Sequence, residues 1–387
     1  MSISAAQSPI DPRLRTRALA VATAFLLNGL TFGAWASRIP AVQTQTHLDE
    51  AGLGFALLGA AIGAVFTMAF GGWLGSRVGT HVLTSATLIG CAVFLPLIGA
   101  SSDFWSLLLS LFAYGVFQGT MDVCMNANGL AVERAGSGPI MSRLHATWSI
   151  GSFAGALLSA TVAGAGIGVF PEFAALAAVL AIGGVIVRVT MLPDRHAGGG
   201  GLTLPSGRLL AIGFLALCGL LAEGSANDWG GVYMHRSLQS SEEMAALAVA
   251  VFAGSMALAR LAGDKLTSVL GAGTLLSGGA ALSAVGLALV IVPQQPWIAV
   301  AGFGIMGLGI AAAAPTLFRA AGTQPGVPSS VGIAAVTTMG YAGGLLGPPL
   351  IGTLATLTSL RIALLLVFVL LAILAASGRR ALAGPPA

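Results

Sequence analysis

Glu223, Asn227 and Asp228 stand in GLLAEGSANDWGGVY, residues 219–233, a stretch otherwise apolar enough to cross a bilayer. A charged side chain at bilayer depth costs at least ~2.5 kcal/mol on insertion scales, so it is expected to face a protein-lined cavity. Counted from Arg208 at about 1.5 Å per residue, Glu223 lies roughly 22 Å along its helix, near the membrane midplane. Glu223 and Asn227 are four apart and share a helical face. A carboxylate there can exchange a proton, and an amide can hydrogen-bond a polar solute. The pair therefore reads as solute-binding or ion-coupling; the competing reading is a polar cluster that only joins helices. Asp228 is turned about 140° from Glu223 on an ideal helix, which leaves its facing open.

A second polar stripe is formed by Gln118, Asp122 and Asn126 at i, i+4 and i+8. Such a stripe is expected to face the bundle interior, as part of a solute site or as a helix-packing seam. Asn28 falls near the middle of the first apolar run, and Trp35 and Arg38 near its end. Trp35 is read as an interfacial anchor. His145 and Trp148 follow Arg143 in SRLHATWSIG, and His145 can titrate near neutral pH. These two join the candidate solute or coupling set. A second set is expected to form ion pairs: Arg38 with Asp228 as a gate between corresponding levels of two repeats, Glu133 with Arg77 or Arg143, and Asp264 beside Lys265. Cys91, Cys124 and Cys218 have no CxxC spacing and read as buried thiols. No nucleophile–base triad, metal-ligand cluster or nucleotide fingerprint is legible, so no enzyme activity, metal or cofactor is expected.

Positioning these groups requires an all-helical membrane bundle. The chain is 56% hydrophobic and 8% charged, against about 25% charged in soluble domains. Twelve apolar segments near or above the ~20-residue spanning length recur along it. Among them are 104–132, 208–235, 242–263 and 329–355. The first follows Arg13, Arg15 and Arg17 and is too long for a secretory h-region, so it reads as a retained helix. Alternating the loops puts Arg38, Arg236 and Arg361 on one side and the other fourteen of the 17 basic residues, Arg260 included, on the opposite side. The positive-inside rule makes that richer side cytoplasmic, with both termini there. The basic residues are scattered singly, which gives no nucleic-acid signal.

The glycine-rich stretch 193–207 reads as a linker between a six-helix bundle at 1–192 and another at 208–387. The halves echo each other at an offset of about 189 residues, the distance from Gly115 to Gly304. Ser149, Gly151 and Gly155 likewise match Thr338, Gly340 and Gly344. Two parallel repeats place a binding site between the halves.

These features resemble the major facilitator superfamily over essentially the whole chain. Gly72 to Gly79, GWLGSRVG, resembles the family's G-x-L-x-D-R-x-G-R-K loop, with Ser76 in place of the Asp. Asp264-Lys265 resembles its acidic–basic core in the second half, and Gln118-Gly119 matches R-x-x-Q-G except that Gly115 replaces the Arg. WASRIP at 35–40, MNA at 125–127 with Glu133, SRLHATWS at 142–149 and EGSANDW at 223–229 point to a narrower branch. That branch holds the rhizopine-associated membrane protein, near sugar–proton symporters of the fucose permease type.

The resemblance implies a monomeric inner-membrane transporter that moves a sugar- or polyol-like solute by alternating access, with protons as the driving ion. Two alternatives stand beside it: efflux of amphipathic or hydrophobic compounds by the same fold, and a non-transporting receptor or structural subunit.

Overall fold

The computed structural model describes residues 12–137, 140–194 and 207–382. Among them the chain forms helices and no strand, as a bilayer demands of a single chain that cannot close a barrel. The helices are α1 (Pro12–Thr46), α2 (Glu50–Val78), α3 (Thr80–Gly99), α4 (Phe104–Val132), α5 (Met141–Gly164) and α6 (Val169–Thr190). After the expected linker, of which 195–206 lie outside the described residues, come α7 (Arg208–Val232), α8 (Glu242–Leu270) and α9 (Ala272–Ile291). Then follow α10 (Pro296–Ile310), α11 (Ala313–Gly322), α12 (Ser329–Leu357) and α13 (Leu360–Leu382).

Eleven described helical segments are long and apolar enough to span a membrane, with α10 and α11 counted as one, Pro296–Gly322. Pro315 explains their break: it has no N–H for the carbonyl of Ala311, and α10 ends just before that residue. The twelfth span is α12, whose 29 residues include Gly343, Gly344, Gly347, Pro348 and Pro349. Those residues dilute its hydropathy without shortening it.

Local chemistry sets the helix ends. The Asp49 side chain accepts the Gly52 N–H at 2.8 Å and starts α2. Asp103 accepts the Trp105 and Ser106 N–H groups at 2.8 and 3.0 Å, while the Ser106 hydroxyl accepts the Asp103 N–H. This is a capping box at the start of α4. Those hydrogen bonds, led by the Ser106 N–H, hold the Asp103 carboxyl below its ordinary pKa. Gly79, at φ 99°, turns α2 directly into α3 in a conformation that glycine alone adopts without strain.

The two halves repeat one packing plan. In the first, α1 packs on α5, α2 on α4 and α3 on α6; in the second, α7 packs on α12, α8 on α10 and α9 on α13. Of the glycines paired by the sequence repeat, Gly151 and Gly340 sit in equivalent seams, whereas Gly344, the counterpart of Gly155, meets nothing within 4 Å. A Cβ on Gly151 or Gly155 would lie 2.3 or 2.0 Å from the Leu26 or Leu30 carbonyl oxygen of α1. On α12, a Cβ on Gly340 would press on Leu220 of α7 at 2.5 Å, and one on Gly343 on the Leu217 carbonyl oxygen at 2.7 Å. Small residues let these helix backbones approach closely.

Between the halves, α2 packs on α12 and α5 on α8, while α1 touches α7 and α8. Several of these contacts are backbone-tight and lie at the end of the bundle that carries Arg38. There a Cβ on Gly352 would meet the Glu50 carbonyl oxygen at 2.3 Å, and one on Gly54 the Pro348 carbonyl oxygen at 2.5 Å. The Ala51 N–H also donates to Thr356 Oγ1 at 2.9 Å.

The outer girdle is apolar: Phe66, Phe70, Ile182, Val189, Leu258 and Val269 are all exposed. Trp105 and Trp297 are exposed at the starts of α4 and α10, equivalent positions in the halves and suited to interfacial anchoring. Trp35, expected in that role, is instead buried in the core. Its place on α1 faces the inter-helix packing, not the rim. All three cysteines are free and buried.

Candidate functional site

The polar residues within the spans form two adjoining networks at the contact of α1, α4, α5, α7 and α8. In the first, Asn28 on α1 is 2% exposed. Its Oδ1 accepts the indole N–H of Trp148 at 2.7 Å and the Gln118 amide at 3.0 Å. Cys91 on α3 donates weakly to Gln118 Oε1 at 3.9 Å. Asn28 thus holds the Trp148 ring in place and is itself too buried to meet a solute. The half-buried Trp148 and the neighbouring Phe32 ring, with centroids 5.4 Å apart, line the cleft instead.

In the second network, Glu223 Oε1 lies 3.1 Å from Arg260 Nη2. Arg260 Nη1 donates to Ser149 Oγ at 3.3 Å. One guanidinium therefore touches α7 of its own half and α5 of the other. The Asn227 amide donates back to the Glu223 carbonyl at 3.0 Å, which fixes its rotamer one turn further on. A narrow cleft runs between Trp148, Ser149 and Ser152 on one wall and Glu223, Asn227 and Arg260 on the other. Phe252 and Met256 of α8 close its apolar side.

The Arg260 placement corrects the sequence reading, which put this residue among the loop charges of the basic side. The apolar run ends near 263, but the helix continues to Leu270. Arg260 therefore sits about 15 Å inside the helix end at 1.5 Å per residue. Hydropathy marks where the apolar run stops, not where the helix does. The signal that was available is charge balance, since a midplane carboxylate calls for a cation at matching depth.

Asp122 and Asn126 lie one turn apart on α4, half-buried, with the Asn126 amide donating to Asp122 Oδ1 at 3.2 Å. Gln118, from the same stripe, turns to α1 instead. His145 packs edge-on against Phe25, centroids 5.4 Å apart, and feels the Arg260 charge. The structure thus brings together Asn28, Gln118 and Trp148, sets Trp148 on one cleft with Glu223 and Asn227, and leaves Asp122 and Asn126 paired with each other on α4.

The expected ion pairs rearrange. Arg38 is bound by Glu172 and Glu242, each at 3.0 Å, and not by Asp228 in this conformation. Both glutamates sit in first turns, of α6 and α8, and come to Arg38 from helices distant in sequence. Glu133 directs Oε1 to the backbone N–H groups of Ile140 and Met141, at 2.5 and 2.8 Å. That oxygen caps the start of α5, whose first N–H groups lack intrahelical acceptors. Arg77 lies over the Trp73 ring, 4.4 Å from its centroid. Lys265 is exposed, and the Asp264 side chain lies outside the described residues.

Comparison with known proteins gives a concordant picture. Residues 21–220 match the family model described as Major Facilitator Superfamily. An MFS-type transporter of Yersinia pestis is 33% identical over 98% of this chain and 99% of its own length. Membrane protein MosC of Rhizobium meliloti is 30% identical over 92% of this chain and 88% of its own. The crystal structure of the nucleoside transporter NupG superposes with a TM-score of 0.75 at 15% identity, covering 95% of this chain and 99% of that one. A bacterial homologue of the human lysosomal transporter Spinster, inward-facing and unoccupied, gives 0.73 at 13% identity, covering 97% and 98%. At such identities the two structures speak for the fold alone.

Proposed function

The chain belongs to the major facilitator superfamily, and from that premise we propose that it is a secondary transporter that moves a small polar, sugar- or polyol-like solute by alternating access, driven by protons. The observation that carries this reading is the Glu223–Arg260 ion pair, set between the halves and bonded to Ser149 across the seam. Residues 1–192 and 208–387 are the two moving units, joined through 193–207. The Arg77 end faces the cytoplasm, by the excess of basic residues there.

A proton taken up by Glu223 removes its charge and weakens its hold on Arg260. The guanidinium stays charged, because arginine does not deprotonate in proteins, and its freed donors become available to solute oxygens. Trp148 and Phe32 offer an apolar wall to the C–H face of a ring, while Asn227 and Ser152 offer polar contacts. Proton occupancy and solute binding thereby meet at one guanidinium. The apolar side of the cleft, Phe252 and Met256, is what an efflux transporter of amphipathic compounds would use, and it sustains that second reading.

The test is transport in proteoliposomes. Glu223→Gln keeps volume but cannot titrate, so it is expected to abolish pH-driven accumulation while sparing counterflow exchange. Accumulation by the variant at the wild-type pH dependence would remove Glu223 from coupling and pass the role to Asp122. Uptake of amphipathic cations in place of sugars or polyols would favour the efflux reading.

A further inference from the structure

At the Arg38 end, the structure holds one arginine between two carboxylates that belong to different halves. Arg38 lies roughly two turns before the end of α1 at Thr46. Its Nε is 3.0 Å from Glu172 Oε2, and both side chains are 2% exposed. Its Nη2 donates to the Ile167 carbonyl between α5 and α6. The other Glu172 oxygen accepts the Ser159 hydroxyl of α5. All of these partners sit in the first half. From the second half comes Glu242, which accepts Nη1 at 3.0 Å and is 42% exposed.

We propose that Arg38 is the latch of this end of the transport passage. Glu172 keeps it in the first half throughout the cycle, and Glu242 engages when the end closes and leaves when it opens.

The asymmetry of the two carboxylates carries the assignment. Separating Arg38 from Glu172 would strand two charges that have almost no contact with solvent, which is strongly unfavourable. Separating Arg38 from Glu242 strands neither. Arg38 keeps Glu172 and the Ile167 carbonyl, and Glu172 keeps Ser159. Glu242 is already half in solvent and stands in the first turn of α8, behind the N-cap Ser241, where free backbone N–H groups favour a negative charge. The second bond is therefore the reversible one. It also crosses between the halves, whereas the Arg38–Glu172 and Glu223–Arg260 pairs each lie within one half. Other cross-half contacts at this end are the steric seams of Gly54 on Pro348, Gly352 on Glu50 and Gly231 on Pro40 and the hydrogen bonds from the Ala51 N–H to Thr356 Oγ1 and from Arg236 to the Leu48 carbonyl, at 2.9 and 3.4 Å, none of which separates an ion pair.

Beneath the latch lies a small buried cluster of Ala36, Ala156, Val249 and Ala250, drawn from α1, α5 and α8. It joins both halves, so it must open to solvent when the end opens. Its residues report latch release. The charged groups around the latch are Arg38 on α1, Glu172 on α6, and Glu242 and Glu243 on α8, with Glu243 lying against Gly164 at the end of α5.

The experiment uses the full chain in proteoliposomes, with Ala250→Cys as the reporter and a membrane-impermeant maleimide as the probe. The three native cysteines are buried, and the protein without Ala250→Cys sets the background. Glu242→Gln is expected to speed labelling about fivefold, the upper end for an ion pair with one half-exposed partner, with little change in melting temperature. Glu172→Gln is expected to lower the melting temperature clearly, since it leaves the buried Arg38 charge with the half-exposed Glu242 as its remaining carboxylate. Labelling at the unsubstituted rate in Glu242→Gln would overturn the latch. So would a fall in melting temperature for Glu242→Gln as large as that for Glu172→Gln, which would make Glu242 a structural brace. The inference rests on the alternating-access reading. Labelling is read without solute or ion gradient, however, so a protein that opens but fails to transport is distinguished from one without the latch.

Discussion

Removing either partner of the Glu223–Arg260 pair should destabilise the protein, and by different amounts. At 3.1 Å the gross Coulomb attraction at an effective dielectric of about 20 is roughly 5 kcal/mol. Desolvation takes back much of this. Breaking fully buried pairs costs about 3–5 kcal/mol, and exposed pairs contribute about 0–1. The Arg260 and Glu223 side chains are 24% and 19% exposed, which puts the expected cost near 2 kcal/mol between those limits. Glu223→Gln leaves a guanidinium that cannot shed its proton, so it should pay the full amount. Arg260→Met leaves a carboxylate, which unlike a guanidinium can be neutralised by a proton, so its cost should be smaller. The double variant Glu223→Gln with Arg260→Met has no stranded charge and should recover much of the loss. The assay is apparent melting in detergent at one fixed scan rate, because membrane proteins of this size unfold irreversibly and the midpoint depends on rate. A double variant whose loss equals the sum of the singles would refute the coupling. A greater loss for Arg260→Met than for Glu223→Gln would refute the reasoning about which charge is stranded.

Two further outcomes follow from the packing. Asn28→Leu removes the acceptor of the Trp148 indole N–H and should lower stability by about 1–3 kcal/mol, the cost of an unsatisfied buried donor. It should also shift the Trp148 fluorescence, read as a difference against Trp148→Phe; an unchanged spectrum would mean that Asn28 does not hold the ring. On the paired glycines of the repeat, Gly155→Ala forces a Cβ to 2.0 Å from the Leu30 carbonyl oxygen, whereas Gly344→Ala meets nothing within 4 Å. The first should lose about 1–3 kcal/mol by overpacking and the second should be near neutral, so equal melting of the two variants would count against the α1–α5 seam.

Much of the architecture is legible in the sequence. Spanning length, low charge and the ban on unpaired backbone in lipid leave a helical bundle as the one solution for this composition. The repeat of Ser149, Gly151 and Gly155 at Thr338, Gly340 and Gly344 pointed to equivalent seams, and Gly151 and Gly340 do pack their first and fifth helices together. Gly344 faces open space instead, because a shared sequence position does not guarantee a shared helix rotation. Glu223 and Asn227 were found from a local rule, since a carboxylate in an apolar run is conspicuous wherever it falls.

The partners of these groups were decided by tertiary structure alone. Hydropathy and periodicity are local, and they report a residue's depth and face but not which distant helix will be turned toward it. Arg260 reached Glu223 because α8 continues past its apolar run, so that a residue read as a loop charge sits within the membrane. Arg38 found Glu172 and Glu242, not Asp228, because the first turns of α6 and α8 come together over α1. Trp35 was drawn inside by the same packing, and Glu133 turned to the backbone of α5. The amino-acid sequence by itself determined that this chain spans the bilayer as two repeated helical sets with a carboxylate at their centre. Helix tilt and rotation, fixed by close backbone approach across many residues at once, decided which charge each carboxylate meets.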